Sequence, residues 1–188
     1  ALAEDLYHTM LVSHGAGIAA SQIGINKNVC VILKDYVPTL EVETFKDIDR
    51  AVVLVNPTIE FLSEEKFTWE EACLSVPDLK AKVERTNLIR LRYTNLAGES
   101  KAVDLEGVES ATVQHEVDHL VGKLFIHRLK GVTRQTAMRK LRRKILNQKR
   151  ARKKPIKSSQ SKVSEEVRIA NRKKRKKKQK LVKANRKK

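Results

Sequence analysis

One stretch, Gln114-His115-Glu116-Val117-Asp118-His119-Leu120, limits what this chain can fold into more than any other. Histidines four apart leave the same face of a helix, so the imidazoles of His115 and His119 can reach one divalent ion. Glu116, between them, can reach a water on that ion as a general base. Val113, Val117, Leu120 and Val121 form an apolar stripe at helical spacing. That pattern predicts a packed helix from Glu109 to Leu120, with Ser110 or Glu109 near its start. The bland alternative, a buried helix with two incidental histidines, leaves the intervening glutamate unexplained.

Two ligands do not complete a catalytic site, which takes three from the protein and keeps one position for water. His119-Leu-Val-Gly122-Lys-Leu-Phe125 has the glycine of the long metzincin motif, but Phe125 stands where its third histidine belongs. No Asp or Glu occurs from Leu120 to Ser164, so a downstream carboxylate is excluded. The third ligand comes from upstream or from His127. Cys73 is one candidate: in Trp69-Glu70-Glu71-Ala72-Cys73-Leu74-Ser75-Val76-Pro77 it sits between acidic residues and a proline, and a thiolate there could complete a Cys-His-His set. Cys30, inside Val29-Cys30-Val31-Ile32-Leu33, reads instead as a small core hydrophobe.

Charge divides the chain. Residues 1–129 hold 13 Lys+Arg against 20 Asp+Glu, and residues 130–188 hold 27 against 2, which sum to the net +18. An acidic body thus precedes a basic tail. Two cysteines make no disulfide framework, so a reducing compartment is expected. No apolar run spans a bilayer, so no membrane partner is expected. The start at Ala1 suggests a processed or incomplete chain.

Along the chain, Leu2, Leu6 and Met10 predict a helix to Ser13, which His14-Gly15-Ala16-Gly17 breaks. Gly15-x-Gly17-x-x-Ala20 is not read as a dinucleotide loop, because a helix and not a strand precedes it. Val29–Leu33 and Ala51–Val55 are predicted strands, the second stopped by Asn56-Pro57; Thr58–Thr68 is a possible further strand. Tyr36–Asp49 reads as an excursion or loop. Leu79–Arg85, Leu88–Thr94 and Lys101–Leu105 are predicted strands, the last two joined by a turn at Asn95-Leu96-Ala97-Gly98. Short strands followed by a helix imply an α+β domain: small mixed or antiparallel sheets around the His-Glu-x-x-His helix.

Three stretches together resemble the peptide deformylases: Gly15-Ala16-Gly17-Ile18-Ala19-Ala20-Ser21-Gln22, Glu71-Ala72-Cys73-Leu74-Ser75 and His115-Glu116-Val117-Asp118-His119. The resemblance runs from about Leu6 to the helix after Gly131. It implies a metal-dependent hydrolase that removes the formyl group from N-formylmethionyl nascent peptides and releases formate. By this resemblance Cys73, His115 and His119 hold the metal, usually Fe(2+), with Zn(2+) or Ni(2+) as substitutes. Glu116 is then the proton shuttle, and Gln22 and the Leu74 N–H stabilise the oxyanion. Gly15, Ala16, Gly17 and Ala72 lie beside the substrate, and Glu71, Arg85 and Asp118 stand behind the ligands. Ala72 replaces the family's glycine, which implies altered specificity or rate. The lead before the first motif is shorter than the family's, which implies a cost in stability.

Three segments are expected: a catalytic domain over 1–131, a basic amphipathic helix over 132–151, and a disordered Lys/Arg-rich tail over 152–188. Ala137, Met138, Leu141 and Ile145 share one face of that helix and can dock on the body. Arg172, Lys173, Lys174, Arg175, Lys176, Lys177 and Lys178 form a solid positive block suited to RNA phosphates, with ribosomal RNA the expected partner. A cytoplasmic monomer of bacterial type or phage origin is expected, an organelle matrix or stroma being the alternative. A zinc metallopeptidase using the same helix, and a non-catalytic RNA- or ribosome-binding protein with a vestigial site, are the competing functions.

Overall fold

The computed structural model describes residues 1–42 and 48–153. Residues Ala1–Arg142 form one compact unit; of a second, Arg143–Lys188, only the helical start is described. The basic block Arg172–Lys178 lies outside the described residues.

Helix α1 (Leu2–Val12) leads into the short strand β1 (Gly17–Ala19), a 3-10 turn (Ala20–Ile23) and β2 (Val29–Leu33). Strands β3 (Ala51–Phe61), β4 (Lys66–Cys73), β5 (Val76–Thr86), β6 (Leu88–Thr94) and β7 (Ser100–Glu106) follow. Helices α2 (Gly107–Leu120), α3 (Phe125–Arg128) and α4 (Gly131–Lys153) end the described chain. A five-stranded antiparallel sheet runs β1-β2-β3-β6-β7, and β4 pairs with β5 as a separate antiparallel hairpin. The fold is α+β, as the element pattern implies.

Strand β3 does not stop at Asn56-Pro57. Its register shifts between Val55 and Thr58, and Asn56 takes φ +50°, a left-handed conformation that asparagine tolerates better than most residues. The proline's missing N–H falls in this bulge, where no ladder bond is lost. The strand pairs with β2 through residues 51–55 and with β6 at Val55 and, past the bulge, through 58–61. Thr58–Thr68 is therefore the end of β3 and the start of β4, not one strand.

Helix α2 begins two residues earlier than predicted, with Glu109 and Ser110 in its first turn. The N-cap is Glu106, and the Ser110 hydroxyl donates to the Thr86 carbonyl at 2.8 Å. Gln114 Nε2 donates to the same carbonyl at 2.8 Å, clipping α2 to the end of β5. At its first turn, Glu109 accepts from the Thr39 N–H and hydroxyl. The stripe holds for Val113, Val117 and Leu120, which pack with Leu54, Ile89 and Leu105 of the large sheet. Val121 is 64% exposed, because the helix ends at Leu120 and the chain turns away.

Behind the hairpin, Val76 and Val83 pack with Phe125, Ile126, Leu129 and Ala137, with Met138 and Leu141 alongside. The first half of α4 thus closes a core that includes Cys73, while Ile145 is 41% exposed.

Candidate metal centre and cleft

The site forms where α2 faces the β4–β5 hairpin. Cys73 is the last residue of β4, and the register shift between Ala72 and Cys73 pairs it with Val76. Leu74 and Ser75 are left as a two-residue turn. On α2, the four-residue spacing sets His115 and His119 edge to face, with ring centroids 4.9 Å apart. Donor atoms of Cys73, His115 and His119 all lie within 4.8 Å of one another, and Cys73 Sγ is 3.2 Å from His119 Nε2. His127 is not the third ligand. Its Nδ1 accepts the Leu124 N–H at 2.9 Å and caps α3.

Electrostatics in the cluster fit a cation. Burial raises the Cys73 thiol pKa, but hydrogen bonds and charge from the two imidazoles outweigh it and lower the value to about 6. Burial opposes protonation of His115, yet Cys73 and Glu71 push its pKa to about 10. The metal-free cluster is therefore a thiolate with a positive charge beside it, the place a divalent ion would take. Glu116 is buried on the same helix, and burial pushes its pKa to about 7 against the pull of both histidines. Its Oε2 is buried and has no hydrogen-bond partner among the described residues, a state that costs about 1–3 kcal/mol unless a ligand or water answers it.

The glycine loop explains why that carboxylate has room. A Cβ on Gly17 would lie 2.7 Å from Glu116 Cδ, so any side chain there would displace the glutamate. At Gly15 the nearest atom would be the flexible tip of Leu74 at 2.8 Å, a milder conflict. Gln22 is held by its own oxygen, which accepts the Ala19 N–H at 2.8 Å. Its Nε2 then points at Ser75 Oγ, 3.0 Å away, and towards Cys73 Sγ at 3.8 Å. Gly15, Gly17, Gln22, Cys73, Leu74, His115 and Glu116 line one cleft of about 600 Å³, together with Ala16, Ala72, Tyr36 and Trp69.

Three buried charges stand behind the ligands. Arg85 donates through Nε and Nη2 to the two Glu71 oxygens at 2.6 and 2.9 Å, and through Nη1 to Asp118 at 2.7 Å. Glu71 Oε2 lies 2.6 Å from His115 Nδ1, which leaves Nε2 as that ring's free nitrogen. Burial alone would raise the carboxyl pKa values of Glu71 and Asp118; their arginine partners, and His115 for Glu71, hold both below the usual range.

Residues 1–135 match the family model for polypeptide deformylase. The chain belongs to the peptide deformylase family. The peptide deformylase of Bartonella tribocorum is 39% identical over 143 residues, 76% of this chain and 77% of that protein. A class I type b deformylase structure from Acinetobacter baumannii is 41% identical, with a TM-score of 0.58 over 68% of this chain and 78% of that one. The Plasmodium falciparum deformylase is 30% identical, with a TM-score of 0.67 over 79% and 82%.

All three motifs of this deformylase-family chain meet in the cleft, although they lie up to about a hundred residues apart in sequence. Three further contributors carried no signal of their own. Ser21 and Ser75 sit at variable or terminal motif positions; Ser21 Oγ donates to the His119 carbonyl at 2.8 Å, tying the first motif to the third. Arg128, which forks onto Asp118, was hidden among the basic residues that follow it. Among the described residues, no helix is long and apolar enough to cross a membrane.

Proposed function

We propose that this cleft hydrolyses the formamide bond of N-formylmethionyl peptides. The observation that carries this reading is the convergence of Cys73, His115 and His119 beside Glu116, whose Oε1 lies against Gly17 and whose buried Oε2 has no hydrogen-bond partner among the described residues. A divalent ion held by Cys73 Sγ and the two imidazoles would polarise the formyl carbonyl and acidify the attacking water. Glu116 takes the water's proton and returns it to the departing amine, so that formate and a free amino terminus result. The Gln22 Nε2–H and the Leu74 N–H donate to the developing oxyanion, a contribution worth roughly 10²–10³ in rate per donor. Gly15, Ala16 and Gly17 let the peptide backbone approach, and Ala72 lines the same cleft. Glu71, Arg85 and Asp118 orient the ligands from behind.

Fe(2+) is the proposed resident metal, with Zn(2+) or Ni(2+) as substitutes, since a thiolate with two imidazoles suits all three. The two free cysteines favour a reducing cytoplasm. The 27 basic residues after Leu129 favour contact with ribosomal RNA, where nascent substrates emerge. Deleting residues 152–188 should leave turnover of a short formyl-Met peptide within about twofold while weakening salt-sensitive ribosome binding.

Glu116→Ala tests the chemistry. Metal content should stay at the wild-type level while turnover falls by about 10²–10⁴-fold. Near-normal turnover at full metal content would remove Glu116 from the mechanism.

A further inference from the structure

Arg128 lies outside all three motifs, on the four-residue α3, yet it ends a continuous chain of polar contacts that leads to a metal-facing imidazole. Its Nε donates to Asp118 Oδ2 at 2.9 Å, and its Nη2 donates to Asp118 Oδ1. Asp118 Oδ2 also accepts from Arg85 Nη1 at 2.7 Å. Arg85 in turn forks onto Glu71, and Glu71 Oε2 meets His115 Nδ1. Signs alternate along the series: Arg128 positive, Asp118 negative, Arg85 positive, Glu71 negative. We propose that Arg128 is a positioning residue for the metal centre, holding the His115 ring in place through Asp118, Arg85 and Glu71. The proposal rests on the reading of Cys73, His115 and His119 as ligands.

Donors are shared along this series. Arg85 has two N–H groups on Glu71 and one on Asp118, and Arg128 completes the Asp118 carboxylate. Without Arg128, Asp118 Oδ1 loses its donor and the buried carboxylate depends on Arg85 alone. Arg85 is 2% exposed and its fork is rigid, so it cannot turn towards Asp118 without loosening Glu71. Glu71 is the group that fixes which His115 nitrogen is free and which way it points. Loss of such an outer hydrogen-bond partner typically costs 10–100-fold in metal affinity. Arg128 itself is 41% exposed, so replacing it removes the charge balance without opening the core.

The test is the zinc affinity of the full chain, measured by chelator competition on wild type and on Arg128→Gln, Arg128→Leu and Arg128→Lys. The midpoint of thermal unfolding of each metal-stripped protein is recorded beside it. We expect about a tenfold loss of zinc affinity for Gln and Leu, with partial recovery by Lys, which restores charge without the fork. In a cycle with Glu71→Gln, the Arg128 effect should largely vanish, because the relay is already cut. A merely structural role would lower the midpoints and leave zinc affinity within twofold of wild type, and that result overturns the proposal. So does full additivity with Glu71→Gln. If wild type binds no zinc, or Cys73→Ser binds it equally well, the ligand set itself is wrong, which is a separate failure.

Discussion

Each sheet of this molecule contains one cysteine and one cross-strand arginine–carboxylate fork, and the two sheets use them in opposite ways. In the five-stranded sheet, Cys30 is fully buried among Leu54, Ile89 and Val113, and burial pushes its thiol well above the ordinary value. In the β4–β5 hairpin, Cys73 is 9% exposed, and two imidazoles bring its thiol down to about 6. Arg90 forks onto Asp104 at 2.6 and 2.8 Å on the outer face of the large sheet, and Arg85 forks onto Glu71 at 2.6 and 2.9 Å under the site. The bond lengths are nearly the same; the Arg90 pair is 38% and 45% exposed, whereas the Arg85 pair is 2% and 4%. Residue type and contact distance therefore do not decide what these groups do. Surroundings do: the large sheet supplies a scaffold, and the hairpin supplies polarised groups that only a closed environment keeps in place.

The largest difference should appear at the cysteines. Cys73→Ser is expected to lose its metal on desalting and more than about 100-fold in turnover, exceeding the usual cost of an outer partner. Cys30→Ser should keep full metal content. Metal analysis after desalting distinguishes them, and the reverse pattern would invert the roles of the two sheets.

Next come the forks. Arg85→Met leaves Glu71 and Asp118 as buried carboxylates short of partners, and should destabilise the protein by roughly 3–5 kcal/mol in denaturant unfolding. The metal-stripped thiols sharpen the contrast further. With its pKa lowered to about 6, Cys73 is mostly thiolate at pH 7, and its alkylation should slow only as pH falls below that value. Cys30, shifted upward, should stay unmodified until the protein unfolds. Mass mapping of the alkylated residue at pH 7 reads this directly, and equal labelling would refute it. The smallest effect belongs to Arg90→Gln. Solvent and salt screen that pair, so the unfolding midpoint should not move measurably, and any change should disappear at high salt.

Much of this contrast is legible in the amino-acid sequence. A continuous apolar, largely β-branched run marks Val29–Leu33 as a buried strand, and the bounds match the structure. Cys30 inside that run and Cys73 outside any such run were already separable by context. The ligand helix, the turn at Gly98 and the α+β class follow from local spacing in the same way. What local spacing misses is pairing at a distance. Nothing in Asn56-Pro57 says that a bulge will carry β3 onward, because the two partner strands that demand it lie on either side in the fold. Nothing around Ser110 announces that its hydroxyl will donate to the Thr86 carbonyl, 24 residues earlier. Arg128 looks like one more residue of the basic segment until Asp118, ten positions away, receives its fork.

If formate release at Cys73, His115 and His119 depends on a metal, it can be followed as formate and free amine from a formyl-Met peptide while the metal is removed and returned. Wild type should release the two in equal amounts, fall silent under chelator, and recover when a divalent ion is added back, with one ion bound per chain. Cleavage of an internal peptide bond in place of formate release, or turnover that is indifferent to the metal, would contradict it.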